Sequence, residues 1–316
     1  VAELLASYSP EELKRYPDPQ SLRLREAIAK REGLRPEQIF PGNGSDEILS
    51  FCFYAFFGPE RGPVLFPRHT YSFYPVYCNF YGNEYRRIPM AEDFSIPTDT
   101  VIESLEGSAG YIFPNPNAPT GMETVPADIE RIAERARKLD LAVIVDEAYI
   151  EFGGATAVPL LERFANLLLV RTFSKSHSLA GVRLGYAVGN TAMIEALTMV
   201  KDSFNSYPVD RLSEEIGIAA IEDDGYYRDI NRRVTASRDM LAEAVKAEGW
   251  TLLPSKANFI FMKKEGLSGK AIYERLKEGG ILVRYFEHPG IEEYVRVTVG
   301  TEDETAAFID ALRRLV

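Results

Sequence analysis

Lys175 stands within Arg171-Thr172-Phe173-Ser174-Lys175-Ser176-His177-Ser178-Leu179-Ala180-Gly181-Val182-Arg183-Leu184-Gly185. Apolar runs at 167–170 and 186–188 flank this stretch and read as buried strands. The stretch is then a loop, and the lysine is tethered at the end of a sheet. Thr172, Ser174, Ser176 and Ser178 add hydroxyls, and Arg183 adds a cationic fork. An amine beside neutral and cationic donors suits a ligand carrying both an aldehyde and a phosphate. The amine condenses with the aldehyde while the donors grip the phosphate. Pyridoxal phosphate carries both groups. An isolated Ser-Lys pair would more simply be a solvated surface lysine; the rest of the chain argues against that.

Four further motifs follow one another along the chain: Gly42-Asn43-Gly44-Ser45-Asp46-Glu47, Asn115-Pro116-Asn117-Ala118-Pro119-Thr120-Gly121, Asp146-Glu147-Ala148-Tyr149, and Val295-Arg296-Val297-Thr298-Val299-Gly300-Thr301. With Ser174-Lys175 and the segment Leu179 to Gly185, they resemble the signature of fold-type I pyridoxal-phosphate aminotransferases. Within that group they are most similar to histidinol-phosphate aminotransferases, and the likeness runs from about Tyr16 to the C-terminus. The resemblance implies an α/β fold, with a three-layer, mostly parallel sheet of the pyridoxal-phosphate-transferase type and a smaller α+β domain. The large cofactor-binding domain is expected at 26–232, and the small domain at 1–25 with 233–316. It also implies a homodimer with shared active sites.

Each motif has its own chemistry. The glycines before the helix expected at 48–57 permit a tight turn, so Gly44, Ser45 and Asp46 present helix-start N–H groups to an anion. A plain N-cap with acidic first-turn residues is the alternative there. Prolines around Asn117 fix a loop that leaves its amide free for the phenolic oxygen of the cofactor. Asp146 lies just past the apolar run 141–145, where open α/β sheets hold their ligands. A carboxylate there keeps a pyridine nitrogen protonated and the ring electron-accepting. Tyr149 is expected beside Asn117 at the phenolic oxygen.

The family pattern supplies the remaining roles. By resemblance, Tyr71 stacks on the pyridine ring, although its spacing with Tyr74, Tyr77 and Tyr81 equally suits a core stripe. Tyr16, in Arg15-Tyr16-Pro17, reaches the neighbouring subunit's cofactor phosphate. Arg296 anchors the anionic end of the substrate, and Arg284 assists. On alternation alone, Arg296 between two valines is a solvent-facing residue of an edge strand.

Composition narrows the classes. With 316 residues, 46% of them hydrophobic, the chain suits one large and one smaller domain. A net charge of −11 disfavours a nucleic-acid or acidic-membrane surface, so any phosphate is held locally. Cys52 and Cys78 sit among aromatics and read as reduced core residues, not a disulfide or metal pair, which favours the cytoplasm. The longest apolar run, 49–57, is far short of the roughly 18 residues of a membrane span, and no leader pattern opens the sequence.

Strands are expected at 63–67, 110–113, 141–145, 258–262, 281–285 and 294–299, and helices at 70–81, 126–139, 267–277 and 302–315. A helical pattern fills 191–245, with Asp224-Gly225 as its break. The function expected is transfer of an amino group from histidinol phosphate, an amino donor, to the 2-oxo acid 2-oxoglutarate, with Lys175 as general base and acid. Related enzymes that transaminate other amino acids or decarboxylate a phosphorylated one share the cofactor motifs. A non-catalytic sensing module on the same fold would need a basic helix-turn-helix segment, which this sequence does not show.

Overall fold

Apolar runs too short for helices form the centre of a seven-stranded sheet in the computed structural model, which describes residues 1–315. Helices α1 (Ala2–Ser7) and α2 (Leu22–Glu32) come first, then β1 (Ile39–Gly42), α3 (Gly44–Phe56), β2 (Val64–Pro67), α4 (Tyr74–Tyr81) and β3 (Tyr85–Ile88). Next are α5 (Thr98–Ser104), β4 (Gly110–Pro114), α6 (Pro126–Lys138), β5 (Ala142–Asp146), β6 (Leu167–Thr172) and β7 (Gly185–Gly189). The strand order is β1-β7-β6-β5-β4-β2-β3. Only β7 runs against its neighbours β1 and β6; β2 to β6 are mutually parallel.

Successive residues on these strands feed opposite cores, as a pleat requires. Tyr111, Phe113, Val143, Val145 and Leu169 face a core closed by α2 and α6 through Leu24, Ile28, Ile129 and Ile132. Ile112, Ile144, Leu168 and Val170 face the other, built with Ile48 and Phe53 of α3 and Tyr74 of α4. This double burial explains why the strands read as unbroken apolar runs.

Helices α7 (Thr191–Phe204), α8 (Arg211–Glu222) and the long α9 (Asp224–Ala247) lead to a second sheet of β8 (Thr251–Leu252), β9 (Phe259–Lys263), β10 (Arg284–Tyr285) and β11 (Val295–Thr298). Its order is β10-β11-β9-β8, all antiparallel. Helices α10 (Gly269–Glu278) and α11 (Glu302–Arg313), with the end of α9, close a separate core including Leu241, Trp250, Ile260, Val295 and Leu312.

Several elements differ from expectation. The helix expected at 70–81 begins at Tyr74, because Pro75 suits only a first turn; Tyr71 is left on the preceding loop. Strand 281–285 shrinks to two residues. The helical stretch breaks at 205–210 as well as at Asp223, with Asp210 capping α8. Arg296 lies on β11, an interior strand between β10 and β9, not on a sheet edge. Strands β1, which contains a proline, and β3, with two arginines, carry no apolar run to announce them.

Candidate active site

Strands β4, β5 and β6 all end at one edge of the sheet, with Pro114 paired to Asp146 and Asp146 to Val170. Their following loops enclose a cavity of about 180 Å³ lined by Ser45, Asp46, Tyr71, Asp146, Tyr149, Thr172, Ser174, Lys175 and Arg183, with Pro114, Ala118, Ala148 and Ala180. Nine side chains separated by up to 138 positions are thus gathered where parallel sheets bind ligands.

The Lys175 ammonium lies 5.6 Å from the centre of the Tyr149 ring. Asp146 is 6% exposed. Its Oδ1 accepts from the Ala148 N–H at 3.2 Å, and its Oδ2 accepts from the Tyr74 hydroxyl at 3.3 Å. Burial pushes its pKa up to about 7, with the charge of Asp46 adding and that of Lys175 opposing. A carboxylate so poorly compensated fits a cationic N–H, such as a protonated pyridine nitrogen.

One end of the cavity is formed by backbone. Helix α3 starts at Gly44, at φ +79, and Asn43 does not cap it through its side chain, so the first-turn N–H groups are free for an anion. Strand β7 approaches that start closely: a Cβ on Gly185 would lie 2.6 Å from Ser45 N and 2.8 Å from Gly44 C. Arg183, in left-handed conformation at φ 56, leans over Gly44 and places Nη2 3.5 Å from Asp46 Oδ2. Tyr71 donates its hydroxyl to Asp46 Oδ1 at 2.8 Å. The Asp46 carboxylate is therefore occupied, and its backbone is what remains for an anion. Thr172 Oγ1 accepts from the Ser174 N–H at 3.1 Å and sets the turn into Lys175.

Asn117 is buried beside Ala118. Its Nδ2 donates to His69 O at 3.0 Å and Thr120 Oγ1 at 2.9 Å, and its Oδ1 is buried without a partner. The amide N–H groups expected to be free for a phenolic oxygen are thus already engaged within the loop, and the orphaned Oδ1 calls for a donor. Tyr16 stays away from this chain's cavity: it is 79% exposed, stacks on Tyr207 at 4.8 Å, and has its carbonyl held by Arg211 at 3.0 Å.

Tyr71 and Ala118 also line a second cavity, of about 490 Å³, that abuts the first. Arg68, Arg87, Arg284 and Arg296 surround it together with His69 and His288, and no carboxylate lines it. Arg296 sits between rings, 4.8 Å from the centre of Phe259 and 5.6 Å from that of Phe286. Its Nε is buried and unpartnered, and burial lowers its pKa. Buried guanidinium without a counter-ion is costly unless an anion joins it.

Sequence reasoning overlooked Tyr74 as a partner of Asp146, and His69, Arg68, Arg87 and His288 in the second cavity. It also passed over Glu147 and Arg171, although an arginine closing an apolar strand is a visible signal of a buried ion pair.

The aminotransferase class I and II family model matches residues 1–312. The chain belongs to that family and is a pyridoxal-phosphate-dependent aminotransferase, a cofactor that the first cavity fits. It is 52% identical to the histidinol-phosphate aminotransferase of Syntrophus aciditrophicus, covering 100% of this chain and 87% of that protein. It is 49% identical to histidinol-phosphate aminotransferase 2 of Thiobacillus denitrificans, again over 100% and 87%. The fold is shared with the solved histidinol-phosphate aminotransferase of Clostridium acetobutylicum, with a TM-score of 0.89 at 23% identity over 96% of this chain and 91% of that one. It is shared also with that of Sinorhizobium meliloti in complex with pyridoxal-5'-phosphate, at 0.87 and 23% over 97% and 85%.

Proposed function

We propose that this aminotransferase moves the amino group of histidinol phosphate to 2-oxoglutarate, yielding imidazole-acetol phosphate and glutamate. The observation that carries the reading is the second cavity, ringed by four arginines and free of lining carboxylates, directly beside Lys175's cavity. An amine ending in a phosphate would place its dianion among those guanidiniums and its nitrogen toward the lysine. The names borne by relatives at about half identity point the same way.

Bound pyridoxal phosphate supplies an aldehyde for the amine and a ring that takes up electrons from the substrate's Cα. Lys175 then serves as base and acid, taking the Cα proton and returning it on the other side of the transfer. With the cofactor bound, Asp146 would hold a protonated ring nitrogen and Tyr149 would donate to the phenolic oxygen, while Asn117, its amide N–H groups spent on His69 and Thr120, offers only its unpartnered Oδ1. Tyr71, which lines the same cavity, would stack on the ring. Gly44, Ser45 and Asp46 at the start of α3, with Thr172, Ser174 and Arg183, grip the phosphate. Arg296 and Arg284 bind the anionic end of either substrate, where a planar fork suits carboxylate and phosphate alike. The outward Tyr16 reaches the site of a second copy, so two chains build two shared sites. Two buried, unpaired cysteines suit a cytoplasmic enzyme.

Single-turnover kinetics with histidinol phosphate, histidinol and glutamate test this. Histidinol is expected to react about 10- to 150-fold less efficiently than its phosphate, the worth of a charge-assisted bond, and Arg296→Ala to weaken both phosphorylated amine and glutamate. Equal reaction of histidinol and its phosphate would replace this reading with a general amino-acid aminotransferase.

A further inference from the structure

We propose that Arg87, held in place by His288, selects a phosphate dianion over a carboxylate in the arginine-lined cavity, with the unpartnered ring of His69 beside it. The proposal rests on that cavity seating the substrate's anionic end.

Arg86 and Arg87 are neighbours on β3, so they point to opposite faces. Arg86 turns to Ser104 O at 2.7 Å, whereas Arg87 lines the cavity. Its Nη1 lies 3.1 Å from His288 Nε2, and His288 Nδ1 lies 3.4 Å from Pro289 O. Those partners fix one tautomer: Nε2 accepts from the arginine and Nδ1 carries the proton. His288 therefore orients Arg87 without neutralising it, and among the described residues no carboxylate pairs with Arg87.

His69 meets His288 edge-on, ring centres 5.7 Å apart. It is 7% exposed and its Nδ1 is buried without a partner. Burial, then His288, Arg68 and Arg87, push its pKa down to about 4, so it enters the site neutral. The approach of the 288–290 loop depends on Gly290, at φ +95, where a Cβ would sit 3.1 Å from His69 Nε2.

Arg284 and Arg296 lie side by side on paired strands of the small sheet, and together they can fork onto one carboxylate. A phosphate monoester carries about −1.5 to −2 charge on three oxygens and needs donors from more than one side. Arg87 supplies them from the large sheet's side, which a carboxylate does not need.

The test compares the holoenzyme with its Arg87→Gln, Arg87→Lys and His288→Ala variants. Each is assayed with histidinol phosphate and with glutamate, and inorganic phosphate is titrated into each by calorimetry. Arg87→Gln is expected to raise KM for histidinol phosphate by about 10-fold or more and to weaken inorganic phosphate by a like factor, leaving KM for glutamate and the thermal midpoint unchanged. Arg87→Lys should recover part of the loss, and His288→Ala should fall between parent and Arg87→Gln. Equal losses on both donors, or unchanged phosphate binding, overturn the proposal. A parent enzyme indifferent to the phosphate overturns the substrate reading itself, and that measurement on unaltered protein keeps the two failures apart.

Discussion

Arg171 donates from Nε to Glu147 Oε2 at 2.9 Å, and each residue is the chain neighbour of a cavity residue, Thr172 and Asp146. The same guanidinium reaches Glu32 Oε1 at 2.8 Å and Thr156 Oγ1 at 2.7 Å, and Glu147 also accepts from the Ala157 N–H at 2.8 Å. Arg31 extends the network to Glu151 and to Asp224 at the start of α9, both at 2.9 Å. The ends of β5 and β6 are thus locked together behind the site. Arg171→Met strands the buried Glu147 carboxylate, whereas Glu32 keeps Arg31 at 3.1 Å, and should cost about 3 to 5 kcal/mol, read in urea unfolding. Adding Glu147→Leu should restore part of that loss, because the stranded charge goes too. An unfolding midpoint that ignores Arg171→Met would show the network to be idle.

Lys175→Ala is expected to abolish turnover and the visible absorbance of lysine-linked cofactor while retaining cofactor binding through Thr172, Ser174 and Arg183. Mixing it with Tyr16→Phe protein addresses the shared site. Mixed dimers carry one site with both changes and one with neither, so activity should reappear on mixing two impaired proteins. Mixtures no better than the sum of the separate proteins would place Tyr16 outside a shared site.

The carboxyl of Asp146 has an ordinary pKa of 3.8, and burial raises it to about 7 in the folded chain. Folded, cofactor-free protein then holds a proton that the unfolded chain has lost. The stability from this group is full below its ordinary pKa and falls away as pH rises to about 7. Asp146→Asn should flatten that part of a thermal-midpoint-against-pH curve, and pyridoxal phosphate, by pairing the carboxylate, should flatten it in the parent. Parallel curves for the two cofactor-free proteins would contradict the burial argument.

Gly185→Ala forces a Cβ to within 2.9 Å of Arg171 O and still closer to Ser45 N. Opening the contact between β7 and the start of α3 should cost about 1 to 3 kcal/mol, seen as roughly 5- to 150-fold weaker pyridoxal phosphate binding. Wild-type affinity in that variant would mean the anion cup does not depend on this approach.

The first cavity was legible along the chain because its makers announce themselves locally. Asp146 and Lys175 come at or after the ends of strands whose buried faces leave unbroken apolar runs, and Gly44 sits at a turn whose left-handed backbone is marked by glycine, whereas the left-handed backbone of Arg183 left no such mark. A parallel sheet then brings every such strand end to one edge, so order along the chain suffices to gather them. The second cavity had no such trace. Arg87 belongs to a charged strand without an apolar pattern, and His288 to a loop, some 200 positions later. Arg296 read as an edge-strand residue because alternation tells which face a side chain takes but not which strands flank it. Only the docking of the small sheet against the end of the large one decided that four arginines would share one space without a carboxylate. Local backbone preferences and burial are written into short stretches of sequence, whereas the meeting of distant polar side chains is fixed by packing, which no single stretch encodes.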